Sequence, residues 1–457
     1  MVVFIPGNFN TLHIGHLRLF QFCTQKRLEI IIGLYGDNEV GVDESFTFRK
    51  SNLSSVGLIK KIIKLTRKNY LKTLNNIKPD FLLKGSDRSL TEAEEKYLSD
   101  SSCEVIFNSA NQIIAKKPNR NDIKKLQLNF LNRHRINVKK IIDKISITRK
   151  SVAVFGDLII DEYIKCNTNG ISQEDDHTIY SIQDSKKILG GAFLSVSLLS
   201  EISKKVIYFN PVEDNLYMDI NKLDFNSNIH LLKSKQKNHI IKKRFTDGKG
   251  QVVFRLTDYN HSNNKFYDEQ ILESFVNKIN EIDYVIFSDF NYGSLSDNLV
   301  LKIKNICKKR NIPIFADSQY SSQFGDLKKY NNVTLVTPTE YEARCCLQSN
   351  DGLALLAEKL AKELSCRYLV ITLGEFGIFI IDNVSKRSID IFPALNISPK
   401  YISGAGDTLL SYLSFGLVND LTIWEAAYLA SVAVSLKLNT HNTKIIKSVQ
   451  KYLKRQL

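Results

Sequence analysis

The chain opens with an apolar run, Val2–Ile5, that breaks at Gly7 and passes at once into Asn8-Phe9-Asn10-Thr11-Leu12-His13-Ile14-Gly15-His16. A strand that turns through glycine directly into a helix leaves few choices. The next strand must return parallel to the first, with the helix as its crossover. The following residues fit that pattern, with a helix expected from about His16 to Lys26 and a second strand at Leu28–Leu34. Phe81–Lys84 and Glu104–Phe107 read as later strands. A second series starts at Ser151–Phe155 and continues at Tyr284–Ser288, Pro313–Ala316, Thr334–Thr337 and Tyr368–Thr372. Within it, Lys242–Thr257 reads as a hairpin turning at Asp247-Gly248-Lys249-Gly250, because β-branched and aromatic residues flank the glycines. The expected class is α/β throughout. A chain of 457 residues has room for two or three domains. The division expected is 1–116, a basic helical linker at 117–150, and 151–457.

Charge limits the partners. The formal net charge is +15, but much of it is local: twelve Lys or Arg residues lie between Lys116 and Lys150, against only Asp122 and Asp143. A solvated linker helix accounts for that stretch. It carries neither stacking aromatics nor a recognition-helix pattern, so nucleic acid is not an expected partner. No run of about eighteen apolar residues occurs, so no membrane helix is expected. Met1-Val2-Val3-Phe4-Ile5 has no basic n-region and reads as a strand, not a signal peptide. Seven cysteines, at no metal or disulfide spacing, indicate a reducing compartment, and the expected location is cytoplasmic. Cys345-Cys346 reads as buried filler.

The first turn has the chemistry for a nucleotide. Transfer of a nucleotidyl group needs negative charge on the α-phosphate to be stabilised as pyrophosphate leaves. A helix N-terminus offers N–H groups and a favourable dipole there. Two imidazoles three residues apart, His13 and His16, with a glycine between, can both face that phosphate while the backbone comes close. The stretch resembles the HxGH signature of the cytidylyltransferase-like nucleotidyltransferases, over about 110 residues. Gly36-Asp37 and Leu82-Leu83-Lys84-Gly85-Ser86-Asp87 extend the likeness. The resemblance implies that His13, His16 and Lys84 act on the phosphates, and that Gly7, Phe9, Asn10, Gly15, Asp37 and Ser109 line the nucleotide site. It also suggests Arg49 as a basic residue of a following helix. Two departures stand out. Asn10 occupies a position where the family usually has Asp, and Ser109-Ala110-Asn111 replaces its Ser-Thr-Thr phosphate clamp. Aminoacyl-tRNA synthetases of class I share a HIGH-like motif, but no KMSKS-like segment follows here.

A second turn, Ser403-Gly404-Ala405-Gly406-Asp407-Thr408, suits phosphoryl transfer. Small residues at a helix start let backbone N–H groups form an anion nest. An aspartate in that turn can take the proton of an attacking hydroxyl. Four further stretches precede it in order: Gly156-Asp157-Leu158-Ile159-Ile160-Asp161, Leu189-Gly190-Gly191-Ala192, Pro338-Thr339-Glu340-Tyr341-Glu342 and Thr372-Leu373-Gly374-Glu375-Phe376-Gly377. Together they resemble the ribokinase (PfkB) carbohydrate kinases over about 300 residues. That likeness implies Asp407 as base and Gly404, Ala405 and Gly406 as anion hole. Asp161, Gly190 and Gly191 would hold the sugar, and Thr372, Gly374 and Gly377 the ATP. Glu342 would act on magnesium indirectly, through phosphate or water. Thr339 stands where the family's N-x-x-E has Asn, and Leu194 where many members have Asn.

Within that family, several stretches resemble the bifunctional heptose 7-phosphate kinase/heptose 1-phosphate adenylyltransferases. They include Gly170-Ile171-Ser172-Gln173-Glu174, Gly250-Gln251-Val252-Val253-Phe254-Arg255-Leu256 and Phe287-Ser288-Asp289-Phe290-Asn291-Tyr292-Gly293. Those enzymes carry the kinase first, so the modules here are in reversed order. Their substrate loop, S-P-E-A-P-V-P, is Ser172-Gln173-Glu174-Asp175-Asp176-His177-Thr178 here, which supports sugar phosphate as a class more than heptose in particular. The fold implied is a Rossmann-like nucleotidyltransferase domain followed by a ribokinase-like domain with a small β lid. The activities implied are phosphorylation of a sugar phosphate at its anomeric hydroxyl and nucleotidyl transfer to a sugar 1-phosphate. In that route a separate phosphatase acts between the two steps. Mg²⁺ and ATP are the implied cofactor and co-substrate, with CTP the alternative in the first domain. The partners are a sugar phosphate and a nucleoside triphosphate, with no membrane and no nucleic acid, and a homodimer through the lid. A kinase/cytidylyltransferase for another polyol or sugar, or one silent module, the transferase before the kinase, remain open.

Overall fold

The structure is a computed structural model. It describes residues 1–457 except 11, 13–15, 17–18, 21–22, 25–26, 86–89, 109–119, 148–149, 173, 176, 214–228, 235–239, 248–250, 259–264, 320–324, 350, 385–387, 397, 441 and 457. Two compact units form. The first comprises Met1–Ile136, Ala343–Lys362 and Leu373–Ile397; the second comprises Asn137–Glu342, Glu363–Thr372 and Ser398–Leu457.

In the first unit, five strands, β1 (Val2–Gly7), β2 (Glu29–Tyr35), β3 (Ile59–Leu65), β4 (Phe81–Gly85) and β5 (Glu104–Asn108), form a parallel sheet in the order β3-β2-β1-β4-β5. β1 is central, so the chain leaves its carboxyl end where the strand order reverses. That is where open α/β sheets bind ligands. Phe4, Leu65, Tyr70, Leu74, Leu82 and Cys103 pack one face of the sheet. β3 was not expected from sequence, because Lys60, Lys61 and Lys64 dilute its apolar pattern. Those lysines suit an edge strand, where charge discourages further pairing, and Lys60 reaches Glu29 on the neighbouring strand.

The second unit is built on seven neighbouring parallel strands in the order β10-β9-β6-β13-β14-β15-β16. These are β6 (Ser151–Gly156), β9 (Lys205–Glu213), β10 (Ile229–Ser234), β13 (Tyr284–Asp289), β14 (Ile314–Ser318), β15 (Leu335–Val336) and β16 (Tyr368–Thr372). β6 and β13 are buried at every position, as parallel strands covered on both faces must be. Phe155 stacks on Phe209 at 4.9 Å between ring centroids. A separate four-stranded sheet, order β12-β11-β7-β8, forms a lid from β7 (Leu158–Ile171), β8 (Thr178–Gly191), β11 (Ile240–Thr246) and β12 (Val252–Asp258). The hairpin expected at Lys242–Thr257 is the antiparallel β11/β12 pair; Gly248, Lys249 and Gly250 of its turn lie outside the described residues. The longer β7/β8 hairpin was not anticipated. Its outer half is exposed on both faces, so its sequence shows no apolar alternation.

The basic stretch is not merely solvated. It makes two helices, Arg120–Arg133 and Val138–Ile147, each with a buried side. In the first unit, Phe130 meets Phe392 edge-on at 4.7 Å, and Asp390 accepts hydrogen bonds from Arg133 (2.9 Å) and pairs with His134 (2.7 Å). In the second unit, Lys140 pairs with Glu425 at 2.7 Å and Lys144 with Asp420 at 3.1 Å. Cys345 and Cys346 are half-buried rather than filler. Among the described residues, no helix is long and apolar enough to cross a membrane.

Gly156 ends β6 with φ +146°, and a Cβ there would stand 1.9 Å from the Ser288 carbonyl oxygen. Gly156→Ala therefore forces β6 and β13 apart. Trp424 is the only tryptophan and is buried in the second unit, so its fluorescence reports that unit alone. The substitution is expected to lower the urea midpoint of Trp424 fluorescence by the equivalent of about 2–4 kcal/mol. An unchanged midpoint would mean that this close approach is not required.

Candidate functional site

In the second unit, the glycine turn becomes the N-terminus of helix Ala405–Val418. Gly404 is its N-cap, with φ +83°, a conformation that favours glycine. A Cβ on Gly404 would also come within 2.5 Å of Leu194 Cδ2. Leu194, the departure noted in sequence, thus lies directly against the nest. The N–H groups of Ala405 and Gly406 are in the first turn, where no intrahelical acceptor exists. Asp407 follows them and is almost wholly buried. Its carboxylate accepts from Ser288 Oγ at 3.2 Å and Ser195 Oγ at 3.5 Å. Burial pushes the Asp407 pKa up to about 6, against the pull of those hydroxyls and of Lys437. A carboxyl at about 6 is ionised at neutral pH yet basic enough to accept a proton usefully.

Asp317, at the end of β14, joins this site and was missed in sequence. It is buried, and its Oδ2 lies 3.6 Å from where a Gly406 Cβ would stand. Burial, then the charges of Glu342 and Asp407, push its pKa well above the carboxylate range. The signal available was its place at the carboxyl end of a buried parallel strand. Ser195 and Ser288 were missed for a simpler reason: nothing in the sequence marks a serine that hydrogen-bonds a distant aspartate. Glu342 is buried and forms a reciprocal cap with Thr339, whose N–H donates to Glu342 Oε2 at 2.6 Å and whose Oγ1 accepts from the Glu342 N–H at 3.1 Å. Thr serves as cap there as well as Asn would. Thr372 ends β16, its N–H bonded to the Pro338 carbonyl at 2.8 Å. Gly374 (φ +60°) and Gly377 (φ +99°) belong to the first unit.

Asp161 sits on β7 and is ion-paired with Arg244 of β11. A Cβ on Gly190 would lie 2.8 Å from Asp161 Oδ2, so this glycine and Asp161 are neighbours. Gly191 has φ +61° and lies against the Asp157 carbonyl. Asp157, fully buried, accepts backbone N–H bonds from Phe290 (3.0 Å), Tyr292 (3.3 Å) and Ser294 (3.1 Å).

In the first unit, Gly7 must stay small because the Phe9 ring lies 2.7 Å from its Cβ position. Phe9 also packs on His16, 5.0 Å between centroids. Asn10 donates to Gly41 O and Asp43 Oδ2, both at 2.8 Å, and accepts from the Asp43 N–H at 3.1 Å. Aspartate could not donate to either acceptor, which accounts for Asn at this position. Asp37 accepts from the Phe46 N–H and from Arg49. Arg49, with no exposure, also donates to the carbonyls of Glu44 (2.6 Å), Asn8 (2.7 Å) and Tyr35 (2.9 Å). It therefore ties the first turn to the second. Lys84 pairs with buried Glu94 at 2.6 Å. Burial raises the Glu94 pKa, but hydrogen bonds from Lys84, Tyr70 and Thr91 outweigh it and hold the carboxyl below its usual value. His13, Gly15 and Ser109 lie outside the described residues.

With this geometry established, comparison with known proteins assigns the family. Residues 150–449 match the family model for pfkB family carbohydrate kinases. The chain belongs to that family. Residues 4–153 match the cytidylyltransferase-like model. A Campylobacter curvus protein named "Bifunctional protein HldE" is 29% identical over 294 residues, covering 62% of this chain and 60% of that protein. Its namesake from Campylobacter jejuni subsp. doylei is 28% identical over 300 residues, covering 65% and 62%. The chain thus spans about three-fifths of the length of the curated relatives it matches. Escherichia coli phosphofructokinase-2 shares the pfkB fold, with TM-score 0.54, 15% identity, and coverage of 67% of this chain and 100% of that one. Arabidopsis thaliana ribokinase does so with TM-score 0.52, 13% identity, and coverage of 67% and 99%.

The raised pKa of Asp407 predicts a pH-dependent cost of folding. Between the ordinary carboxyl value and about 6, the folded state holds a proton that the unfolded chain gives up. Stability therefore falls as pH rises through that window, and the penalty is constant above it. Asp407→Asn removes the penalty. It is expected to stabilise the Trp424 transition at pH 8 by on the order of 3 kcal/mol, and to have little effect at pH 4. Equal shifts at both values would show that ionisation of Asp407 carries no folding cost.

Proposed function

We propose that the protein is a bifunctional enzyme of sugar-nucleotide synthesis. Its pfkB unit uses ATP to phosphorylate the anomeric hydroxyl of a sugar phosphate resembling heptose 7-phosphate. Its first domain joins a nucleoside triphosphate, ATP or else CTP, to a sugar 1-phosphate, releasing pyrophosphate. The carrying observation is Asp407: a buried carboxylate with a pKa of about 6 in the first turn of a helix whose N-cap is glycine. The relatives' printed name, "Bifunctional protein HldE", and the two matched families support the reading. In this reading the domains are 1–116 and 151–457, joined by a linker at 117–150.

In the kinase step, the Asp407 carboxylate takes the proton of the sugar hydroxyl as its oxygen attacks the γ-phosphorus. The bond from that phosphorus to the β,γ-bridging oxygen breaks, and ADP leaves with the electron pair. Gly404, Ala405 and Gly406 face the charge on the transferred group. Asp161, Gly190 and Gly191 hold the sugar, and Thr372, Gly374 and Gly377 the ATP. Asp317 and Glu342 fit a divalent cation, because burial and then the repulsion of Glu342 and Asp407 raise the Asp317 pKa, and a cation relieves that repulsion. Among the described residues, no three His, Cys, Asp or Glu side chains are grouped to chelate a metal directly. Glu342 would hold Mg²⁺ through phosphate oxygens or water, and the ion would neutralise phosphate charge. In the first domain, a sugar phosphate oxygen attacks the α-phosphorus and the α,β-bridging bond breaks. His13 and His16 face that phosphate, and Gly7, Phe9, Gly15 and Ser109 shape its site. Asn10 and Asp37 hold the turns that border it.

A silent transferase is the second reading, because Lys84 is already paired with buried Glu94. Exposed Phe254 and Leu256 on the lid favour a homodimer there; a monomeric mass at micromolar concentration would count against it. A cytoplasmic setting suits such substrates.

ADP formation from Mg²⁺, ATP and a panel of sugar phosphates including heptose 7-phosphate should be lost in Asp407→Ala. Pyrophosphate release from a sugar 1-phosphate with ATP or CTP should be lost in His16→Ala. ADP formation without any pyrophosphate release would establish the silent-transferase reading. No turnover of any sugar phosphate would refute the kinase assignment.

The base must be ionised to act, so kinase kcat/KM should fall about tenfold per pH unit below about 6 and level off above it. A profile flat down to pH 5 would exclude Asp407 as the base.

A further inference from the structure

The two hydroxyls that reach Asp407 arrive at one oxygen. Ser288 Oγ donates to Oδ1 at 3.2 Å, and Ser195 Oγ donates to the same Oδ1 at 3.5 Å. Both contacts are longer than ordinary O–H···O bonds, as those to a catalytic group in an empty site often are. Among the described residues, no other side chain donates a hydrogen bond to this carboxylate. Lys437 acts on it through charge, while its ammonium donates to the Thr440 carbonyl at 3.2 Å. The torsion that turns an aspartate carboxyl about its Cβ–Cγ bond is broad and nearly two-fold, so an unrestrained carboxylate presents either oxygen. Two donors on Oδ1 remove that freedom and leave Oδ2 the more basic oxygen.

Each serine is placed for this contact by its own element. In helix Ala192–Ser200, Ser197 and Ser200 return their hydroxyls to the helix, at Phe193 O (3.0 Å) and Ser197 O (2.8 Å). Ser195, with no exposure, has the Gly191 carbonyl one turn back for the same purpose. Its hydroxyl instead crosses to Asp407. Ser288 lies on β13 in register with Gly156 of β6 and Asp317 of β14. Partners at one level of parallel strands share a face of the sheet, so Ser288 and Asp317 lie on the same side. Asp157 anchors both serines. Its carbonyl accepts from the Ala192 N–H at 3.0 Å, where the helix carrying Ser195 begins, and its carboxylate accepts from Phe290, two residues past Ser288.

We propose that Ser288 and Ser195 are positioning residues for phosphoryl transfer, which hold Oδ1 of Asp407 so that Oδ2 takes the proton. As the sugar oxygen bonds to the γ-phosphorus, its O–H bond breaks and the proton passes to Oδ2. The bond to the β,γ-bridging oxygen breaks in turn, and its electron pair leaves with ADP. The two serine hydroxyls keep their protons and stay on Oδ1 throughout. Helix Ala192–Ser200 has Gly191, a residue of the proposed sugar site, as its N-cap. Ser195 therefore ties the base to the element that meets the sugar. This rests on the kinase reading above and adds the residues that decide which oxygen of the base acts.

The test is single-turnover ADP formation by the full chain, with saturating Mg²⁺ and ATP and the sugar phosphate that the wild type turns over best. A single turnover reads the chemical step free of product release, and pH 8 keeps Asp407 ionised. Ser288→Ala and Ser195→Ala are each expected to lower the rate constant about 10-fold, and the double variant about 100-fold. KM for ATP and for the sugar phosphate should stay put. Ser288→Thr, which keeps the hydroxyl, should retain most of the rate, and the urea midpoint of Trp424 fluorescence shows that each variant is folded. Should one alanine variant not fold, the other carries the test. An unchanged rate constant in the folded variants would overturn the proposal and leave the kinase reading standing. So would a raised KM with the rate constant intact, which would make the serines part of the sugar pocket only. A wild-type protein that turns over no sugar phosphate would overturn both.

Discussion

The carboxylate of Asp157 is the point on which the kinase unit is assembled. It follows directly on β6, has no exposure, and gathers three backbone N–H groups from the five residues that leave β13. A buried carboxylate without partners would be prohibitively costly. Those N–H groups are therefore not optional, and the loop Phe290–Ser294 has one low-energy course. Its consequences spread in two directions. On one side Ser288 is held where it meets Asp407; on the other, Phe290 and Tyr292 seat the base of the lid. Burial, and then the neighbouring charge of Asp289, raise the Asp157 pKa.

What could be read in the sequence follows from how local each device is. A glycine turn at a helix start is contiguous in sequence, so Gly404–Asp407 could be recognised from residue type and spacing alone. Parallel strands buried on both faces announce themselves as apolar runs, and β6, β13 and β16 were placed within a residue or two. Ser288 could not be singled out, and Asp317 only by its place at a strand end, because their relation to Asp407 exists only after two strands and the helix Ala405–Val418 are brought together. The outer part of β7 and β8 was hidden for the opposite reason. A lid strand wet on both faces has no apolar period for a sequence to display.

The first domain shows how a departure from a motif can be absorbed locally. Asn10 loses a charge relative to the family's aspartate, but its amide is committed to Gly41 and the Asp43 carboxylate. Arg49, invisible as a structural residue in the sequence, donates to three carbonyls of both loops as well as to Asp37. These contacts order the rim of the sheet's switch point. Asp37 and Lys84, which resemblance would assign to the nucleotide, each have an internal partner. A ligand that takes Lys84 must compete with Glu94.

The acids at the strand ends of the kinase unit can be ranked by how well the protein itself satisfies them. Asp289 has the Lys329 ammonium at 2.7 Å, the Tyr330 hydroxyl at 2.6 Å and the Asn291 N–H at 2.9 Å. Asp157 has three N–H groups. Asp407 has two hydroxyls and a backbone hydrogen bond, and Asp317, although bonded to the Gln319 side chain and the Ser318 backbone, also faces the charges of Glu342 and Asp407. Full satisfaction fixes a backbone and leaves nothing to offer a ligand. Incomplete satisfaction costs stability in the empty protein, and substrate or cation removes that cost on binding. The gradient runs from Asp157 and Asp289, beneath the lid, to Asp317 and Asp407, beside the glycine nest.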